Sequence, residues 1–124
     1  MLEKGLSATT RTTVTAANTA AAMGSGDLPV FATPALVALM EHAAMMAVAA
    51  ALPEGATTVG AEMNTSHIKP SGLGAEITAS AVVTEVDGRK IVFTVGARDG
   101  EGPIGEGTHV RFVVDRERFL AKVK

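Results

Sequence analysis

The sequence predicts an α+β domain in which one long apolar helix lies on an antiparallel sheet of five strands. Three observations carry that reading. A run from Phe31 to Leu52 is almost wholly Ala, Leu, Met and Val, with helix-start residues at one end and helix-stop residues at the other. Four strand-like runs follow it, joined by short turns. A Thr-rich strand-like run precedes it. One apolar helix and consecutive antiparallel strands bury each other's apolar faces, and that is their natural packing.

The elements follow in order. Leu6 to Ala16 is rich in Thr and lacks a 3.6-residue apolar stripe, so it reads as a first strand. Asn18 to Met23 suits a short helical turn capped by Asn18 or Thr19. Gly24-Ser25-Gly26-Asp27 is a loop, and Leu28 to Ala32 leads extended into the long helix. There Thr33 can serve as N-cap and Pro34 suits the first helical position, while Pro53 and Gly55 end the helix. Between Pro34 and Leu52 only Glu41 and His42 can ionise. A helix apolar all round is normally buried. The sheet must therefore curl around it, or a second copy must cover its far side; both point to a sheet-wrapped helix in a dimer.

Ala56 to Ile68 reads as a long second strand, with Val59, Ala61, Met63, Thr65 and His67 alternating onto one face. Lys69-Pro70-Ser71-Gly72 is a turn. Ala75 to Val86 makes the third strand, with Ile77, Ala79, Ala81 and Val83 on one side. Asp87-Gly88 signals a two-residue hairpin into the fourth strand, Lys90 to Ala97, where Ile91, Phe93 and Val95 share a face. Asp99 to Pro103 closes a second hairpin, and Ile104 to Val114 is the fifth strand. Gly105 and Gly107 within it suggest a bulge or the close approach of another backbone. Asp115 can cap a last helix, Arg116 to Val123, with Phe119 and Val123 on its inward side.

Composition narrows the functions. With 124 residues the chain is expected to be a single domain spanning 1–124. Aromatic residues are only 3%, so the core must come from Val, Leu, Ile, Met and Ala. A net charge of -2, with no basic run and no aromatic platform, argues against nucleic-acid and membrane partners. Cysteine is absent, which removes disulfides, thiolate nucleophiles and Cys-ligated metals. The start, Met1-Leu2-Glu3-Lys4-Gly5, leads into Thr residues and not into an apolar signal core. Ala35–Leu52 nears membrane-span length, but it is Ala-rich, carries Glu41-His42 centrally and lacks basic flanks. Cytoplasmic residence is the expectation. His42, His67 and His109 show no ligand-pair spacing, so no metal is expected. Dinucleotide, P-loop and nucleophile-elbow motifs are absent, and no cofactor is expected.

Three residues can carry chemistry: Thr33, Glu41 and His67. A carboxylate in an apolar helix costs stability unless it is paired or faces a cavity, which makes Glu41 the first suspect. Together the three supply a carboxylate to attack or orient, an imidazole to move protons and a hydroxyl to position a carbonyl or water. Each also has a plainer reading: Thr33 as a cap, Glu41 paired with a base such as Arg111, His67 as a satisfied or surface histidine. His42 points about 100° away from Glu41 and suits packing or an interface. His109 suits a structural role. Thr33 and Glu41 are separated by about 12 Å along a helix axis, so they cannot hydrogen-bond within one straight helix. Either they serve different parts of a substrate, or a second subunit brings one to the other.

These residues resemble a known family. Val30-Phe31-Ala32-Thr33, Leu39-Met40-Glu41, Thr65-Ser66-His67 and Pro70-Ser71-Gly72-Leu73 resemble the hotdog-fold acyl-CoA thioesterases of the fluoroacetyl-CoA thioesterase-like branch. So do Gly105-Glu106-Gly107-Thr108-His109-Val110-Arg111 and the tail Phe119 to Val123. The resemblance covers Leu28 to the C-terminus. It implies a hotdog fold, a long central helix wrapped by a five-stranded antiparallel sheet, dimerising or assembling further with active sites between subunits. It implies hydrolysis of small acyl-CoA thioesters, with Thr33, Glu41 and His67 as catalytic residues. Phe31, Gly60 and Arg111 stand as substrate-binding candidates. Phe31 precedes the threonine, Gly60 lies where a strand's N–H groups can meet an oxyanion, and Arg111 can hold a CoA phosphate or pair with Glu41. Lys69 and Arg89 share that phosphate or pairing candidacy. The stretch Gly24 to Val30 departs from the phenylalanine-containing lid of the fluoroacetyl-specific members, so fluoroacetyl preference does not follow. Rival readings are a hotdog hydratase or dehydratase, and a non-catalytic acyl-CoA-binding dimer.

Overall fold

A computed structural model describes residues 1–123. In chain order the elements are β1 (Ser7–Thr13), α1 (Ala20–Met23), α2 (Thr33–Ala49), β2 (Ala56–Thr65), β3 (Glu76–Asp87), β4 (Lys90–Asp99), β5 (Gly102–Asp115) and α3 (Arg116–Lys122). The five strands form one antiparallel sheet in the order β1-β3-β4-β5-β2, with α2 against its concave face. Strands β1 and β2 are its edges.

The core is the interface between α2 and the sheet. Leu36, Met40, Ala43, Ala44 and Val48 of α2 are buried against Ile77, Ala79, Ala81 and Val83 of β3 and Ile91, Phe93 and Val95 of β4. The period-2 reading of β3 and β4 is therefore correct. Alanines on both surfaces let the helix lie close to the sheet. The threonines of β1 have a specific use: Thr10 Oγ1 donates to the Leu39 carbonyl at 2.8 Å, tying the edge strand to the middle of α2.

Several local expectations are corrected. The N-cap of α2 is Ala32, with no side-chain cap bond, and Thr33 is already helical. The helix ends at Ala49, because the chain leaves helical geometry before Pro53. In β2 the register with β5 shifts between Gly60 and Glu62. That bulge breaks the expected alternation. Gly60 faces inward opposite Arg111, Val59 lies opposite outward Phe112, and Met63 returns to the core. In the first hairpin Asp87 pairs with Lys90, so the turn residues are Gly88-Arg89, with Gly88 at φ 61° as a two-residue turn favours. Thr19, not Asn18, caps α1, and Asp115 caps α3 as expected. No residue of α3 is fully buried; Val123 is exposed and Phe119 only partly covered, so the expected inward face is used only in part among the described residues.

Gly105 and Gly107 allow close backbone approach. A Cβ on Gly105 would meet the Ser66 carbonyl, and one on Gly107 would meet the Asn64 carbonyl. The end of β2 and the segment bearing His67 thus lie directly on β5. Among the described residues no helix is long and apolar enough to cross a membrane.

Candidate active site

Two clusters form along α2. The first joins the helix start to the segment after β2. Thr33, freed from capping, places Oγ1 2.8 Å from His67 Nδ1. Ser66 N–H donates to the Glu106 carbonyl and Ile68 N–H to the Ile104 carbonyl, holding His67 from both sides. The Phe31 ring, fully buried, meets the imidazole edge-on at 6.5 Å between centroids and 77° between planes. Burial pushes the His67 pKa below its ordinary value, so the ring is neutral near pH 7. Its Nε2 is buried and finds no hydrogen-bond partner among the described residues.

The second cluster surrounds Glu41. Its Oε2 lies 3.8 Å from Arg111 Nη1, an ion pair beyond hydrogen-bond reach. The Arg111 guanidinium is held by Thr58: Nε donates to Oγ1 at 2.8 Å and Nη2 to the carbonyl at 3.0 Å. His109 Nε2 lies 3.2 Å from Arg111 Nη1, and its Nδ1 lies 2.7 Å from the Glu62 carbonyl. Burial lowers the pKa of both Arg111 and His109, and for His109 the Arg111 charge adds to it. Gly60 leaves the space that Glu41 occupies, since a Cβ there would stand 2.6 Å from Oε2. Glu41 itself keeps 41% of its side-chain exposure, so its carboxylate is reachable from solvent.

The structure therefore joins Thr33 with His67 and Phe31, and Glu41 with Arg111 and Gly60. Among the described residues no hydrogen bond or ion pair joins the two clusters. Lys69, a phosphate or Glu41-pairing candidate from sequence, is instead bound to Asp99 at 2.6 Å. Arg89 lies in a groove with Arg118, Phe119 and Lys122. Among the described residues no group of three or more His, Asp or Glu converges as a metal site. Sequence reasoning missed Thr58, and no local signal marks it. The His109-Arg111 spacing was a usable signal, because residues two apart on a strand share a face.

The family model for fluoroacetyl-CoA-specific thioesterases matches residues 14–117. The chain belongs to this family. It is 39% identical over 95 residues to the fluoroacetyl-CoA thioesterase of Streptantibioticus cattleyicolor, covering 77% of this chain and 68% of that protein. The solved fluoroacetyl-CoA thioesterase FlK superposes with a TM-score of 0.92 at 32% identity, covering 99% of this chain and 96% of FlK. A hot-dog-like protein from Thermanaerovibrio acidaminovorans gives 0.87 at 25% identity, covering 97% and 89%. The fold is a hotdog, and the protein is a thioesterase acting on acyl-CoA thioesters, as expected from the sequence resemblance.

Proposed function

We propose that the protein hydrolyses a small acyl-CoA thioester to the free acid and CoA, with Thr33, Glu41 and His67 as catalytic residues. The observation that carries this assignment is the Thr33–His67 bond, with the imidazole Nε2 left buried and without a hydrogen-bond partner among the described residues. In this reading Nδ1–H donates to Thr33 Oγ1, and the threonine hydroxyl donates onward to the thioester carbonyl. Developing charge on that oxygen is then met by a fixed donor. Nε2 takes and returns the proton moved during hydrolysis. Glu41 acts on the carbonyl directly or through a water. Arg111 orients the Glu41 carboxylate, Phe31 walls the site beside His67, and Gly60 keeps its inner surface open.

The working unit is a homodimer with sites between subunits. Two observations support this. Residues Ala38, His42, Met46 and Ala49 leave one side of α2 uncovered among the described residues, although after Thr33 the helix is apolar apart from Glu41 and His42. Strand β2, which carries Gly60 and leads to His67, is an unpaired sheet edge. Pairing across that edge brings the two clusters of different protomers to one substrate. The protein acts in the cytoplasm, where acyl-CoA is made and used.

The test is thiol release over a panel of short acyl-CoAs, read beside hydration and binding. Glu41→Gln removes the charge at constant shape. We expect turnover to fall by at least about 100-fold, with the fold and acyl-CoA binding retained. Wild-type turnover in this variant refutes the assignment. Hydration without thiol release identifies a hydratase, and binding alone identifies a carrier.

A further inference from the structure

The segment that carries His67 continues through Lys69 and Ser71, and both side chains end on one carboxylate. Asp99 Oδ2 accepts from Lys69 Nζ at 2.6 Å and from Ser71 Oγ at 2.9 Å. Its Oδ1 accepts from the Glu101 N–H at 2.8 Å, which holds the carboxylate in the β4–β5 turn. Only 5% of the Asp99 side chain is exposed, and Ser71 is buried. The Ser71 carbonyl in turn accepts from the Phe31 N–H at 2.8 Å, two residues before Thr33. Val30 and Gly72 form a bridge beside it. One carboxylate on the far hairpin is thus linked to the His67 segment through two side chains and to the entry of α2 through Ser71.

We propose that Asp99 is a positioning residue for the Thr33–His67 pair. It touches no reacting atom; it sets the distance between two chain segments, and so the 2.8 Å bond between the hydroxyl and the imidazole. The β5 backbone restrains His67 through the residues before and after it, Ser66 and Ile68, and both bonds run to the same strand. Asp99 supplies restraint on the other side, with Lys69 and Ser71 as its two points of attachment. Hydrogen bonds from Lys69 and then from the Glu101 N–H hold the Asp99 pKa down to about 2, so the clamp stays charged throughout the physiological range. Lys69 also lies 3.6 Å from Glu101, which keeps its ammonium at the turn. Among the described residues no titratable side chain hydrogen-bonds His67, whose imidazole meets the Thr33 hydroxyl and the Phe31 ring.

The inference rests on the catalytic reading of Thr33 and His67, and the experiment separates the two. Asp99→Ala and the gentler Asp99→Asn are compared with wild type well below their melting temperatures. Turnover on the best acyl-CoA is measured together with NMR titration of the His67 imidazole. Asp99→Ala is expected to lower kcat by about 10- to 100-fold with KM changed less than about threefold, and to move the His67 titration upward as the ring gains solvent. Asp99→Asn keeps an acceptor for Ser71 and should fall between Asp99→Ala and wild type in both readouts. If Asp99→Ala does not fold, Asp99→Asn and Lys69→Met decide, each expected to shift the His67 titration in the same direction. An unchanged His67 titration in the folded variants overturns the positioning role, even if they melt earlier. His67→Ala is the control for the catalytic reading. If it retains wild-type turnover that reading fails, while the titration still reports whether Asp99 holds the imidazole.

Discussion

Gly60→Ala tests whether Glu41 must sit where it does. Gly60 is not at positive φ, so the backbone accepts alanine. The added methyl would stand 2.6 Å from Glu41 Oε2, 3.3 Å from Arg111 Nη1 and 3.4 Å from His109 Cε1. Arg111 and His109 are buried and tied to Thr58 and Glu62, so they yield little. The Glu41 carboxylate ends a flexible, half-exposed chain and is the group that moves. Reaching ordinary contact near 3.4 Å requires a retreat of about 0.8 Å. A displacement near 1 Å at a reacting group costs up to about 100-fold. We therefore expect kcat to fall about 10- to 100-fold, equivalent to roughly 1.4–2.8 kcal/mol in the barrier. Stability should hold or rise slightly, because Gly in a strand costs about 0.5–1 kcal/mol relative to Ala. The assays are thiol release and thermal melting on the same preparation. Since alanine keeps the Gly60 N–H, lost activity cannot be blamed on a missing backbone donor. Wild-type kcat, or activity lost only in proportion to folded protein, refutes the argument.

Other expectations follow from the same geometry. Thr33→Val removes the His67 partner but no cap, so turnover should drop about 10- to 100-fold while stability changes by less than about 0.5 kcal/mol. A loss near 1 kcal/mol in chemical denaturation would mean that the hydroxyl caps the helix after all. Gly107→Ala drives a methyl into the Asn64 carbonyl, which is backbone and cannot rotate away, so it should destabilise by about 1–3 kcal/mol in urea. Its contrast with Gly60→Ala separates backbone crowding from side-chain crowding. Burial holds the pKa of His67 and His109 below 6.5, so the unfolded chain binds more protons than the native one below that value. The melting temperature should therefore fall as pH drops below about 6.5, and His67→Asn should fall less steeply. For the same reason the acid limb of kcat/KM should lie below the ordinary histidine value. A limb above it contradicts the buried, neutral His67.

The order of elements was legible in the sequence because apolar periodicity and turn chemistry are local. Alternation in Ile77-Thr78-Ala79-Ser80-Ala81 and Ile91-Val92-Phe93-Thr94-Val95 determines which face is buried, and a long apolar run bounded by Pro34 and Pro53 determines one helix. The candidate residues were legible for a different reason: a carboxylate in an apolar helix is costly, and its spacing to Thr33 and His67 matches a family. Of the partnerships between distant segments, the Glu41–Arg111 pair was legible as one alternative, and the others were not. Whether Thr33 caps α2 or binds His67 depends on where residue 67 lies after the sheet forms. Whether Lys69 reaches a phosphate or Asp99 depends on how the β4–β5 turn folds over the His67 segment. The Gly60 bulge moves Val59 off the face that simple alternation gives it, because the register with β5 decides the face. The sequence by itself determined the helix, the strands and the chemical types at the site. Tertiary structure alone decided which of those groups touch, since a contact between residues far apart in the chain exists only once the sheet has curled around α2.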